Sequence, residues 1–169
     1  MKLEDLNKLE NAKAEALFLD CCGSREWARR MNEARPFTSE EELFLRAEQI
    51  WWVLEPADWL EAFAAHPKIG ARKAAPSQAE RAAEWSKGEQ AGMEEAAVLI
   101  REELARINDE YEQKFGHIYI VCATGKTARE MLEICRGRLD SSPENELPIA
   151  AEEQRKITEI RLRKLLETR

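Results

Sequence analysis

The sequence predicts an all-α protein, a single domain over residues 1–169 made of seven or eight packed helices around one short buried extended segment. Three observations carry this prediction. Apolar residues recur at helical spacing along most of the chain, capping signals precede several of those stretches, and only one run reads as extended. One isolated strand cannot make a sheet, so that run must lie among helices and find partners there for its backbone N–H and C=O groups.

Taken in order, Leu3, Leu6, Leu9, Ala16 and Leu17 give an opening helix that Gly23 stops. Ser39, with Glu42 three residues on, is a capping-box signal before the stripe Leu43, Phe44, Ala47, Ile50, Trp51 and Leu54. Pro56 closes that helix and opens the next, which reaches His66. Pro67 then disfavours helical geometry for the residue before it. Ser77 with Glu80 marks a further start. Ala97, Ile100, Leu104, Ile107, Tyr111 and Phe115 lie on one narrow stripe of a long helix that Gly116 ends. The β-branched run from His117 to Ala123, between Gly116 and Gly125, is the extended segment. Thr127 with Glu130 opens another helix, and Ser142-Pro143 places an N-cap before a proline at the first helical position.

Composition narrows the function classes. Hydrophobic residues make up 44% and charged residues 35%, as in a folded globular chain, and 169 residues can bury a core without disulfides or metal. A net charge of -7 argues against nucleic acid or an anionic membrane as the main partner, because phosphate binding needs clustered Lys and Arg. The basic run from Arg155 to Lys164 is interleaved with Glu159 and apolar residues, which reads as a solvated helix face rather than an anion site. Cys21, Cys22, Cys122 and Cys135 form no Cys-x-x-Cys pair, and with only His66 and His117 they are poor material for zinc, so no metal is expected. No signal peptide or apolar run long enough to span a bilayer is evident, which predicts a cytoplasmic protein with reduced thiols.

Two constellations can carry chemistry. His66 projects from a helix C-terminus at a corner that Pro67 makes rigid, where the helix dipole favours imidazolium. Such a group suits general acid work or a developing anion; a lone His-Pro is more often a histidine that merely caps its helix. Ser86, Glu89, Gln90 and Met93 fall at i, i+3, i+4 and i+7, so a hydroxyl, a carboxylate and an amide share a face if the helix continues through Gly88 and Gly92. That face fits a small heterocycle rich in amides, or else it is a solvated helix end. Asn108 beside the long stripe reads as half-buried, its amide placed to bond the extended segment or, alternatively, a substrate. His117 reads as structural. Trp52, opposite Trp51, fits a second core layer or a dimer interface, and a non-catalytic helical interaction module is the competing class of function.

The order and separation of Leu6-Asn7, Arg35-Pro36-Phe37, His66-Pro67-Lys68-Ile69-Gly70, Ser86-Lys87-Gly88-Glu89-Gln90-Ala91-Gly92, Asn108-Asp109-Glu110-Tyr111, Lys114-Phe115-Gly116 and Ile160-Arg161-Leu162 resemble the OHCU decarboxylase family. The resemblance implies decarboxylation of 2-oxo-4-hydroxy-4-carboxy-5-ureidoimidazoline (OHCU) to (S)-allantoin and CO2 in urate degradation, by a homodimer without metal or organic cofactor. It implies that His66 is the catalytic histidine and Glu89 its partnering acid. Pro67, Ser86, Lys87, Gly88 and Gln90 would line the substrate pocket, and the backbone of Tyr119, Ile120, Val121, Cys122 and Ala123 would bind the substrate. Where many relatives place an arginine after that stretch, this chain has Thr124, with Lys126 two residues on. Either Lys126 supplies the charge or the pocket manages without it. A decarboxylase of a related ureido heterocycle would use the same hydrogen-bonding groups.

Overall fold

The computed structural model describes residues 1–69 and 98–167. These contain eight α-helices and no strand: α1 (Leu3–Lys8), α2 (Asn11–Cys22), α3 (Arg25–Glu33), α4 (Glu40–Trp52), α5 (Pro56–Ala64), α6 (Val98–Phe115), α7 (Ala128–Leu139) and α8 (Pro143–Glu167). Two compact units result, one of Met1–Ala62 with Arg155–Arg169 and the other of Phe63–Gln154. Among the described residues no helix is long and apolar enough to cross a membrane.

In the first unit the expected opening helix is two helices, because Leu9 and Glu10 take extended backbone angles between α1 and α2. The break has a long-range cause. Arg35 Nη1 donates to the carbonyls of Leu6 at 2.7 Å and Leu9 at 3.0 Å, satisfying groups that a continuing helix would have used. Asn7 bonds both the N–H and the C=O of Phe37, at 3.0 and 2.8 Å. Leu6, Asn7, Arg35 and Phe37, four of the residues behind the family resemblance, therefore join two parts of this unit's scaffold.

Gly23 ends α2 as expected, at φ 87°, a left-handed turn that only glycine adopts without strain. Ser39 caps α4 by accepting from the Glu42 N–H at 3.2 Å, but the reciprocal half of the box is displaced: Glu42 accepts from Thr38 N–H at 2.7 Å and Thr38 Oγ1 at 2.6 Å. Phe18, Trp27, Met31, Leu43, Trp51 and Leu162 form the interior, and Trp27 Nε1 finds the Ala47 carbonyl at 3.0 Å. Trp52 is 40% exposed and meets the edge of Trp59. Within the basic run, Arg155 and Arg163 pair with Glu159 at 3.2 and 2.7 Å, while Arg161 is buried, so the run is neither a uniform solvated face nor a cluster of open cations.

The second unit is built on α6 and α7. Leu104, Ile107 and Tyr111 of the predicted stripe meet Ala128, Met131, Leu132 and Cys135 of α7, with Ile69, Tyr119, Val121 and Ala123 in the same cluster. Ala97 lies outside the described residues. Gly116 closes α6 at φ 75°, its N–H on the Glu112 carbonyl at 2.8 Å. Thr127 and Glu130 form the full reciprocal capping box of α7, and Ser142 accepts from the Asn145 N–H at 3.4 Å as α8 begins. Ser77 and Glu80 lie outside the described residues.

Candidate active site

His66 lies just past the last residue of α5, where its N–H still reaches the Phe63 carbonyl at 3.0 Å and Pro67 prevents further helix. Anchors on both sides hold this corner. Upstream, buried Phe63 packs on the His117 ring with centroids 5.2 Å apart. Downstream, Lys68 pairs with Asp109 at 3.4 Å and with Glu112, and hydrogen bonding to Glu112 raises its ammonium above the ordinary value. The next residue, Ile69, enters the core cluster. Its carbonyl accepts from Asn108 Nδ2 at 2.6 Å. Asn108 is thus fully buried rather than half-buried, and it clamps the corner rather than the extended segment; its Oδ1 has no partner among the described residues.

The segment after Gly116 is irregular and buried, as expected of a run with no strand beside it. Tyr119, Ile120, Val121, Cys122 and Ala123 are each at most 7% exposed. Its backbone is held by side chains instead of a sheet. The Ile120 carbonyl accepts from Arg138 Nη1 at 2.6 Å, the Cys122 N–H donates to Glu153 at 2.7 Å, and the Cys122 carbonyl accepts from Lys126 Nζ at 2.8 Å. Lys126, the cation in question after the stretch, is therefore turned back onto the stretch. The Tyr119 hydroxyl donates to the Met131 carbonyl at 3.0 Å, fixing the segment to α7.

Behind it sits a buried polar cluster that sequence reasoning missed. Arg138 Nε donates to Glu146 at 2.6 Å, Tyr111 donates its hydroxyl to the same carboxylate oxygen, and Arg138 Nη2 reaches the Tyr111 hydroxyl at 3.1 Å. The guanidinium also lies over the Tyr119 ring, 5.0 Å from its centroid. Burial pushes both tyrosine hydroxyls well above their ordinary range, so they remain protonated donors. In sequence Arg138 is a basic residue in the last turn of a helix, where a cation is commonplace. Only the spacing of Glu146 eight residues on, across the Ser142-Pro143 cap, hinted at a partner.

His117 is structural, as expected: its ring is packed among Phe63, Tyr111 and Phe115, and Nδ1 faces the Ile118 carbonyl at 3.0 Å. Burial lowers its pKa below the ordinary value of about 6.5. The unfolded chain then takes up a proton that the folded chain resists. The stability involved is fully present above that pH and is lost on acidification. Urea midpoints measured from about pH 7 down to about pH 5 should fall less in His117→Gln than in the unaltered chain; equal falls would contradict the assignment.

His66, Pro67 and Tyr119 to Ala123 all belong to the second unit; Phe63 packs on His117 at the start of the extended segment, and Ile69 shares a core cluster with Tyr119, Val121 and Ala123. Ser86, Lys87, Gly88, Glu89, Gln90 and Met93 lie outside the described residues.

A family model described as OHCU decarboxylase matches residues 7–163. The uric acid degradation bifunctional protein TTL of Arabidopsis thaliana is 44% identical over 147 residues, 86% of this chain and 45% of that protein. A 2-oxo-4-hydroxy-4-carboxy-5-ureidoimidazoline decarboxylase of Haloferax volcanii is 24% identical over 96% of this chain and 94% of its own length. The crystal structure of an OHCU decarboxylase in the presence of (S)-allantoin superposes with a TM-score of 0.75 at 40% identity, covering 89% of this chain and 97% of that one. The chain spans between about a third and just under half of the length of the bifunctional curated relatives it matches. With a model match over nearly its whole length, the chain belongs to the OHCU decarboxylase family.

Proposed function

We propose that this chain removes CO2 from OHCU and delivers (S)-allantoin, with His66 handling the proton and the Tyr119 to Ala123 backbone holding the substrate ring. The observation that carries this reading is the pinned corner: a histidine fixed by Pro67, Asn108 and Lys68 within the unit whose core also contains the clamped backbone stretch. A histidine and a set of directional backbone groups on rigid supports favour proton transfer to a held ring.

The chemistry asks little else of the protein. When the C4–carboxylate bond breaks, its electron pair moves into a C4=C5 bond and the pair of the adjacent C5=N1 bond moves onto N1, which takes a proton. The resulting enol loses its hydroxyl proton as C5 gains one, giving the C4 carbonyl and the stereocentre of allantoin. The substrate is its own electron sink, so the proposal requires no metal and no organic cofactor. His66 is suited to deliver the proton to one face of C5, which sets the handedness. Glu89 would orient His66 or the substrate, and Pro67, Ser86, Lys87, Gly88 and Gln90 would complete the pocket, roles that rest on the family resemblance. A homodimer and a cytoplasmic location belong to the same proposal; four thiols without a disulfide support the latter.

A coupled assay tests the reading. OHCU is generated freshly from urate with an oxidase and a hydrolase, and its disappearance is followed with and without the chain. Loss should accelerate in proportion to added chain; an unchanged spontaneous rate would leave the interaction-module reading in its place.

A further inference from the structure

We propose that Arg138, Glu153 and Lys126 are positioning residues: they hold one edge of the backbone at Ile120 and Cys122 so that the opposite edge, Val121 N–H, Val121 C=O and Ala123 N–H, meets the substrate ring as a donor, acceptor, donor row.

Among the described residues the only cis peptide is Arg35-Pro36, so the three peptide units from Ile120 to Ala123 are trans, and in each the C=O and the N–H point in opposite directions. Every one of these units is gripped by a charged side chain on one side: Arg138 on the Ile120 carbonyl, Glu153 on the Cys122 N–H and Lys126 on the Cys122 carbonyl. The other group of each unit is therefore directed away from its clamp. Those groups are the Val121 N–H, the Val121 carbonyl and the Ala123 N–H, and among the described residues none of the three has a hydrogen-bond partner. Val121 and Ala123 are 4% and 5% exposed, and buried backbone groups without partners are rare.

The row selects its ligand by chemistry. Donor, acceptor, donor is matched by acceptor, donor, acceptor, which is the C2 carbonyl, the N3–H and the oxygen on C4 of the OHCU ring. The same pattern persists in the flat imide edge of the product's hydantoin ring. Bonds to charged groups are the stronger and more directional ones, so the three clamps fix this row before the ligand arrives. This rests on the function proposed above, but it names the ring edge and the side chains that set it.

Hydantoin, 1-methylhydantoin and 3-methylhydantoin are the probes, titrated into the full chain by calorimetry and as inhibitors. Hydantoin and its 1-methyl derivative should bind, whereas 3-methylhydantoin, which lacks the donor and carries a methyl in its place, should bind at least about tenfold more weakly. Glu153→Leu and Lys126→Met should each raise the hydantoin dissociation constant and the KM for OHCU by about tenfold with kcat little changed, while Glu153→Gln, whose amide oxygen still accepts, should bind nearly as before. A merely structural role would not divide the Gln and Leu variants in this way at equal helical content. Hydantoin that fails to bind, 3-methylhydantoin that binds as well as hydantoin, or clamp variants with unaltered constants overturn the proposal. If a variant loses its helical signal, the methylated probes on the unaltered chain decide alone. An active chain that tolerates 3-methylhydantoin loses the edge and keeps the reaction; an inactive chain that still rejects it loses the reaction and keeps the edge.

Discussion

His66→Asn should lower kcat for OHCU by about 10²- to 10⁴-fold, the usual contribution of a positioned proton-transfer group, with the fold intact. Asparagine approximates the size and hydrogen-bonding reach of histidine but cannot exchange a proton near neutral pH. The corner itself depends on Pro67, on the Asn108 bond to Ile69 and on the Lys68 ion pairs, none of which uses the imidazole. Helical circular dichroism and the melting temperature should therefore stay close to those of the unaltered chain. The remaining flux should be the spontaneous reaction, with racemic product. Retention of even a third or so of kcat would remove His66 from proton transfer.

The second large effect concerns stability. Glu146→Leu leaves the Arg138 guanidinium buried without its carboxylate and should cost about 3–5 kcal/mol, because an uncompensated charge is then held away from water. Arg138→Met combined with Glu146→Leu should recover most of that loss, since replacing both partners by apolar side chains of similar volume is often neutral. Chemical denaturation of the single and double variants checks this. If the double variant is as unstable as the single one, the cluster contributes mainly through the Arg138 bond to Ile120 and the Tyr111 hydroxyl rather than through charge pairing.

Part of the fold and of the candidate site was legible in the sequence. The apolar stripe from Ile100 to Phe115, the caps at Thr127 and Ser142 and the stops at Gly23 and Gly116 depend on neighbours within a few residues, and all of them appear where periodicity and capping chemistry place them. The His66-Pro67 corner is of the same local kind. What was not legible depends on contacts distant in sequence. Nothing within α1 announces its end at Lys8; the cause is Arg35, whose guanidinium collects the carbonyls of Leu6 and Leu9. Asn108 reads as a polar residue beside a stripe, and only the path of the chain after Pro67 decides that it bonds Ile69. Arg138 follows the same rule, being an ordinary helix-end cation until Glu146, Tyr111 and the Ile120 carbonyl are brought around it. Side chains that support the candidate site from behind thus carry no short-range signature, whereas those that form its rigid corner do.

The most direct test of the central claim is the handedness of the product. With OHCU generated in place, the spontaneous reaction gives racemic allantoin, so optical activity at completion reports a face-selective proton delivery that only a structured site provides. The unaltered chain should yield (S)-allantoin and His66→Asn the racemate. Racemic product from the unaltered chain, at the rate seen without it, would contradict the account.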